Sequence, residues 1–232
     1  LSEQEQREVL DSLINTTSLE RAWSLVVDTY TGKNDSSGHD LAHYLGRRMY
    51  ELKGLDGLAI CTASFAFGCY HGFTDAALVK SLEPLADLAK ACERVGTVGS
   101  GPWASCIHGI GHGVATYFDT VKLSDALARC DQLSAGQTYC HDGVFMEFAT
   151  SAPQSAYDLS DPLYPCSTLS EIYKPACGRN QPRVMEKHFG MNMEQIVSVC
   201  TGADDKTIRY HCIDAIGLDV GQKSGGDSKR IA

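Results

Sequence analysis

Apolar residues recur along this chain at intervals of three and four, the spacing that lines one face of an α-helix. Over residues 18–30, Leu19, Ala22, Trp23, Leu25, Val26 and Val27 form such a face behind Ser18, a residue type that caps helix N-termini. Residues 3–14 read as a second helix, and the two make an opening hairpin. The stretch GHDLAHYLGRRMYEL predicts a further helix started by Ser36 or Ser37, and LEPLADLAKAC, LSDALARC and NMEQIVSVC predict three more. No run alternates apolar and polar residues between hairpin turns, so the expected fold class is all-α.

Cysteine spacing then organises the chain. The ten cysteines fall as Cys61 and Cys69, Cys92 and Cys106, Cys130 and Cys140, Cys166 and Cys177, Cys200 and Cys212, with no CxxC pair of the kind that binds zinc. Five sequential disulfides are expected, each stapling the end of one helix to the start of the next. The second cysteines lie 37, 34, 37 and 35 residues apart, and Ser37 stands 32 residues before Cys69. A period near 35 is the length of a two-helix unit, which predicts an α-solenoid or a tightly curled helical array. The expected organisation is one domain over 1–221: the hairpin at 1–30, about six units over 31–221, then a flexible tail at 222–232. Residues 151–165 hold three of the seven prolines and predict an irregular connection, and CGRNQPRVMEKHFG departs from the repeat.

In architecture the chain resembles the Sel1-like cysteine-rich helical-repeat proteins, with CTASFAFGC nearest to their stapled unit. The resemblance covers roughly 52–221. It implies the helical-repeat fold and a secreted setting, and it implies no functional residues.

The candidate chemistry lies at fixed offsets from the second cysteines. Two positions on stand His39, His71, His108, Asp142, Arg179 and Asp214; six positions on stand His43, Asp75, His112, Met146, Arg183 and Leu218. Residues four apart share a helix face, so His39/His43 and His108/His112 each present two imidazoles to one point. A single histidine near a helix start is most often a cap or a core group. Here five of the eight histidines occupy equivalent places in consecutive units, and that concentration points to a metal site. The predicted ligands are His39, His43, His71, Asp75, His108 and His112, with Asp142 and Glu147 as further ligands or proton acceptors. Gly109, Gly111 and Gly113 weaken their helix by about 1 kcal/mol each, so a partner helix or an ion is expected against that backbone. The glycines of HGIGHG, CHDG and GLDVG are expected to let the helices converge. His141, His188 and His211 read as structural.

An imidazole-rich set with some carboxylate suits one or two ions of iron or copper, with zinc possible, and disfavours calcium or magnesium. In principle it resembles the HEAT-repeat di-iron hydroxylases, whose His-Glu dipeptides are absent here. An oxidoreductase is the favoured expectation, and hydrolysis is the weaker enzymatic one. A disulfide-stapled binding module and a metal storage or delivery protein are the non-catalytic alternatives. The phosphate-binding loop, the GxSxG elbow and the CxxCH haem attachment are all missing.

Composition narrows the partners. A net charge of −9 with scattered acids argues against nucleic acid, which needs a concentrated basic surface. No apolar run reaches the roughly 18 residues that span a bilayer. A small-molecule or peptide substrate is expected, with a secreted or membrane-associated partner protein as a further possibility. Persistent disulfides imply an oxidising, extracytoplasmic compartment, and sequons at Asn15 and Asn34 fit secretion. The leading Leu1 is expected to reflect processing.

Overall fold

A computed structural model describes residues 1–33 and 36–223. Among them are eleven α-helices and no strand: α1 (Glu3–Thr16), α2 (Leu19–Tyr30), α3 (Ser37–Lys53), α4 (Gly68–Leu78), α5 (Leu85–Cys92), α6 (Gly101–Tyr117), α7 (Leu123–Cys130), α8 (Gln137–Ser151), α9 (Lys174–Phe189), α10 (Met193–Gly202) and α11 (Lys206–Lys223). The all-α expectation holds for these residues. Ser18 caps α2 by accepting from the Arg21 N–H, while Ser36 precedes α3 without a side-chain cap bond. Asn34 and Asp35 of the second sequon lie outside the described residues, as do residues 224–232 of the expected tail. Gln222 and Lys223, assigned to that tail, continue α11 instead.

All five sequential disulfides are present, with no free cysteine. Three of them tie a short helix to the long one that follows, α5 to α6, α7 to α8 and α10 to α11. Cys61 differs, because a 3-10 helix (Gly54–Ile60) and not an α-helix runs into it. The long helices begin before their cysteine: Cys106 is the sixth residue of α6 and Cys212 the seventh of α11. The 151–165 connection is irregular apart from one 3-10 turn at Gln154–Ala156, and α9 carries Pro182 in its interior.

Helices α3, α4, α6, α8, α9 and α11 pack each against the next in that order, and α2 covers α3. Backbone contact sets their spacing. A Cβ on Gly72 of α4 would stand 1.9 Å from the His43 carbonyl oxygen of α3, and one on Gly46 of α3 would stand 2.1 Å from that of Cys69. The α6–α8 pair repeats this, with Gly143 at 1.9 Å from the His108 oxygen and Gly111 at 2.1 Å from that of Cys140. Between α4 and α6, Gly113 faces the Thr74 carbonyl, and the Thr74 hydroxyl donates to the Gly109 oxygen at 2.7 Å. Partner helices therefore account for the three glycines of HGIGHG. The GLDVG expectation is corrected: a Cβ on Gly217 or Gly221 would meet nothing within 4 Å, so no helix among the described residues closes on that face of α11. One buried cluster, which includes Trp23, Met49, Phe73, Leu88, Ile110 and Leu127, runs along the row.

A methyl group cannot fit 1.9 Å from an oxygen. Gly72→Ala and Gly143→Ala are expected to lower stability in urea unfolding by about 1–3 kcal/mol or more, since the helices must separate. Gly217→Ala, on an open helix face, should instead gain about 0.5–1 kcal/mol.

Candidate metal centre

The glycine contacts bring the histidines of three helices together. His39 and His43 come one turn apart from α3, His71 from α4, and His108 and His112 one turn apart from α6. Their nitrogens form two groups with all ligand atoms within 4.8 Å of one another, His39/His43/His71 and His71/His108/His112. His71 belongs to both. Its ring centroid lies 5.3 Å from that of His43 and 4.5 Å from that of His112.

Each histidine pair turns Nε2 inward. His39 Nε2 and His43 Nε2 are 3.1 Å apart, as are His108 Nε2 and His112 Nε2. Three of the four Nδ1 atoms face fixed acceptors. His39 Nδ1–H donates to the Phe65 carbonyl at 2.7 Å, His112 Nδ1 meets Glu147 Oε2 at 2.8 Å, and His108 Nδ1 meets Asp142 Oδ2 at 3.2 Å. Metal-ligating histidines are held in this way, with the outer N–H on a carboxylate or carbonyl fixing the tautomer. In the α6 pair both outer nitrogens face carboxylates, which leaves the two Nε2 atoms facing each other at 3.1 Å, a spacing that two ligands of one cation can share.

Asp142 and Glu147, both on α8, thus stand behind the histidines. Asp142 also accepts from Arg179 Nη1 at 3.3 Å and Asn180 Nδ2 at 3.2 Å, both from α9, and Glu147 accepts from Ser151. Burial pushes both carboxyls up, but His108 on Asp142 and His112 on Glu147, with these further donors, outweigh it and hold each below its ordinary pKa. Burial, with neighbouring imidazoles adding to it, holds His43 down to about 4 and lowers His71. Burial lowers His112 as well, against the pull of Glu147. Those three rings are therefore neutral, as ligands must be.

Asp75, the sixth predicted ligand, joins neither group. Burial first, and the Glu147 charge second, push its carboxyl up to about 7, and its Oδ1 is buried without a hydrogen-bond partner among the described residues. A buried acid left in this state suits a nearby cation. The structural reading of two other histidines agrees with their surroundings: His141 pairs with Asp131 at 2.8 Å, and His188 stacks on Tyr157.

The histidines floor a cavity of about 790 Å³ walled by Ala66, Phe67, Ala104, Tyr139 and Met146, with Arg183 lining it as well. Sequence reasoning missed Phe65, Ala66 and Phe67, three consecutive non-glycine residues with φ of 55°, 47° and 63°. Such left-handed residues cost about 1–3 kcal/mol each and gather at functional sites. The turn they make aims the Phe65 carbonyl at His39 and places Phe67 on the cavity. The Cys61–Cys69 disulfide closes it.

No family model, curated protein or solved structure matches this chain. The side-chain geometry itself carries the functional reading.

In metal-free protein, Asp75 binds a proton between about pH 3.8 and 7 that the unfolded chain releases, so its carboxylate opposes folding fully only above that window. Asp75→Asn should therefore be more stable than wild type in urea at pH 8, with the gap closing by pH 4. His43 acts in the other sense: folded at about 4 against 6.5 unfolded, it removes stability as pH falls from 6.5 to 4.

Proposed function

We propose that this chain is an extracytoplasmic metal-dependent oxidoreductase whose five histidines hold two copper ions at the floor of an open cavity. The observation that carries the reading is the orientation of the α6 pair, with Nδ1 committed to Asp142 and Glu147 and the bare Nε2 atoms 3.1 Å apart. All donors in the two groups are imidazole nitrogens. That set favours copper or zinc over iron, whose usual facial arrangement adds a carboxylate. Two adjacent groups favour two ions, and a pair of copper ions held there would supply one-electron redox chemistry at each position.

The chain's own residues have distinct parts. His39, His43, His71, His108 and His112 would be the ligands, and His71, neutral in the metal-free protein, would have to give up its ring proton to serve both ions. Asp142 and Glu147 are positioning residues that hold the proton on Nδ1 of His108 and His112 and keep Nε2 free. Asp75, buried with its Oδ1 unpartnered among the described residues and its carboxyl pushed up to about 7, would lose its proton to balance a nearby cation. Phe67, Tyr139 and Met146 exclude water beside the ligands and leave room for a small organic substrate. We extend the reading to the scaffold: residues 1–221 form a curled array of disulfide-stapled units akin to Sel1-like repeats. The consecutive packing of the long helices supports this. The five disulfides suit an oxidising compartment, and no helix among the described residues is long and apolar enough to cross a membrane.

Metal analysis by mass spectrometry, on protein purified without a metal-binding tag, tests this directly. Two equivalents of copper are expected in wild type and one in His39→Ala, which spares His71, His108 and His112. Loss of His71, shared by both groups, should release both ions, and Glu147→Gln should weaken binding about 10–100-fold. Stoichiometric zinc would redirect the reading to hydrolysis, for which three histidines and an open position also serve. No metal after reconstitution would sink it and leave a stapled binding module.

A further inference from the structure

We propose that the cavity takes an organic monocarboxylate with an apolar body, its carboxylate held by Arg183 and its body lying against Phe67, Tyr139 and Met146. The proposal names a substrate class for the oxidoreductase reading and rests on that reading only for what happens at the histidines.

Charge along the cavity singles out Arg183. Apart from the histidines, the charged groups lining it are Arg183 and Glu147, and Glu147 is already engaged by His112 and Ser151. Arg183 is exposed and makes no hydrogen bond, ion pair or ring contact with another described residue. Arg7, Arg48, Arg94 and Arg179 are matched, with Glu3, with Asp11 and Glu51, with Asp56 and with Asp142, and Arg21 and Arg47, which have no ion pair among the described residues, do not line the cavity. A guanidinium facing a cavity with its five donors uncommitted fits a carboxylate through two parallel hydrogen bonds.

The remaining walls decide the rest of the ligand. Ala66, Phe67, Ala104 and Met146 offer no hydrogen-bonding side-chain groups, the Ser105 and Thr150 hydroxyls donate to backbone carbonyls of their own helices, and Tyr139 adds a single uncommitted hydroxyl. A sugar or another many-hydroxyl ligand would leave its polar groups unmatched there. A phosphate monoester would bring a second negative charge with no second free cation on the lining and Glu147 nearby. One negative charge on an apolar body matches what is present. The volume of about 790 Å³ accommodates a two-ring molecule. Arg183 and Met146 also line an adjoining cavity of about 240 Å³ together with Asp142, Glu186 and Asp219, and those acids leave the apolar cavity as the side on which Arg183 meets an added carboxylate.

Calorimetric titration with 2-naphthoate and its neutral counterpart 2-naphthamide tests the proposal, using wild type and Arg183→Ala, each metal-loaded and metal-stripped. In both forms wild type should bind 2-naphthoate at least tenfold tighter than the amide, with the preference shrinking as salt rises. Arg183→Ala should erase that preference while metal content and far-UV circular dichroism stay as in wild type. Equal binding of the two probes by wild type, or binding of neither, overturns the proposal. A preference that survives in Arg183→Ala and needs the metal also overturns it, since the carboxylate would then sit on the ion. The two readings fail separately. Protein that holds no metal yet shows an Arg183-dependent preference keeps the anion site and loses the oxidoreductase, and metal-replete protein without the preference does the reverse.

Discussion

Backbone contact between consecutive helices is the constraint on which the rest depends. Ordinary helix pairs stand about 8–10 Å apart because side chains fill the space between them. At Gly46, Gly72, Gly111 and Gly143 no side chain intervenes, and each glycine faces a carbonyl of its neighbour. The consequence is positional. Gly72 follows His71 and meets the carbonyl of His43, while Gly143 follows Asp142 and meets that of His108. The residues in backbone contact are those whose side chains, or whose neighbours' side chains, must converge. Spacing and chemistry are set by the same few positions.

Electrostatics supplies the second half. Burial keeps His43, His71 and His112 neutral, the state in which an imidazole can be a ligand. The protein then places carboxylates outside the ring of nitrogens and not within it. Asp142 is held by two donors from α9 and Glu147 by a serine of its own helix, so neither is free to turn inward and displace a histidine. Negative charge surrounds a neutral pocket. A cation at the centre would answer the facing Nε2 atoms of the two histidine pairs.

Much of this was legible in the sequence, for identifiable reasons. Helices show through three-and-four periodicity, and the sequential pairing follows from short cysteine spacings that only neighbouring helix ends can bridge. The histidine ladder was visible because units of nearly equal length put equivalent residues at equal offsets, so His39, His71 and His108 could be aligned by counting. What counting cannot supply is rotation and path. Asp75 occupies the ladder position of His43 and His112, yet a carboxylate is shorter than an imidazole and stops short of the shared point. Gly217 and Gly221 look like the glycines of HGIGHG, but a glycine marks close approach only where another helix follows, and none packs on that face of α11. The left-handed turn at Phe65, Ala66 and Phe67 has no sequence signal at all, since none of these residue types favours positive φ. It is imposed by the tertiary structure, and its role in orienting His39 could be read only from coordinates.

That turn bears on how the site relates to folding. In small metal-stapled domains the ion itself supplies the folding energy, and the protein without it is unfolded. Here the pieces that fix ligand positions are otherwise secured. Disulfides anchor Cys69 of α4, Cys106 of α6 and Cys140 of α8 to the segments before them. Closing loops of this length contributes about 2–3 kcal/mol apiece. The α3–α4 and α6–α8 contacts are backbone against backbone, so they do not depend on what the histidines hold. The cost of three left-handed residues, neutralised imidazoles and an unpaired acid is borne by a scaffold that has stability from elsewhere. On the proposed reading, histidines kept in place without an ion are preorganised for exchange of ion and substrate through the cavity, as a working site requires and a structural one does not.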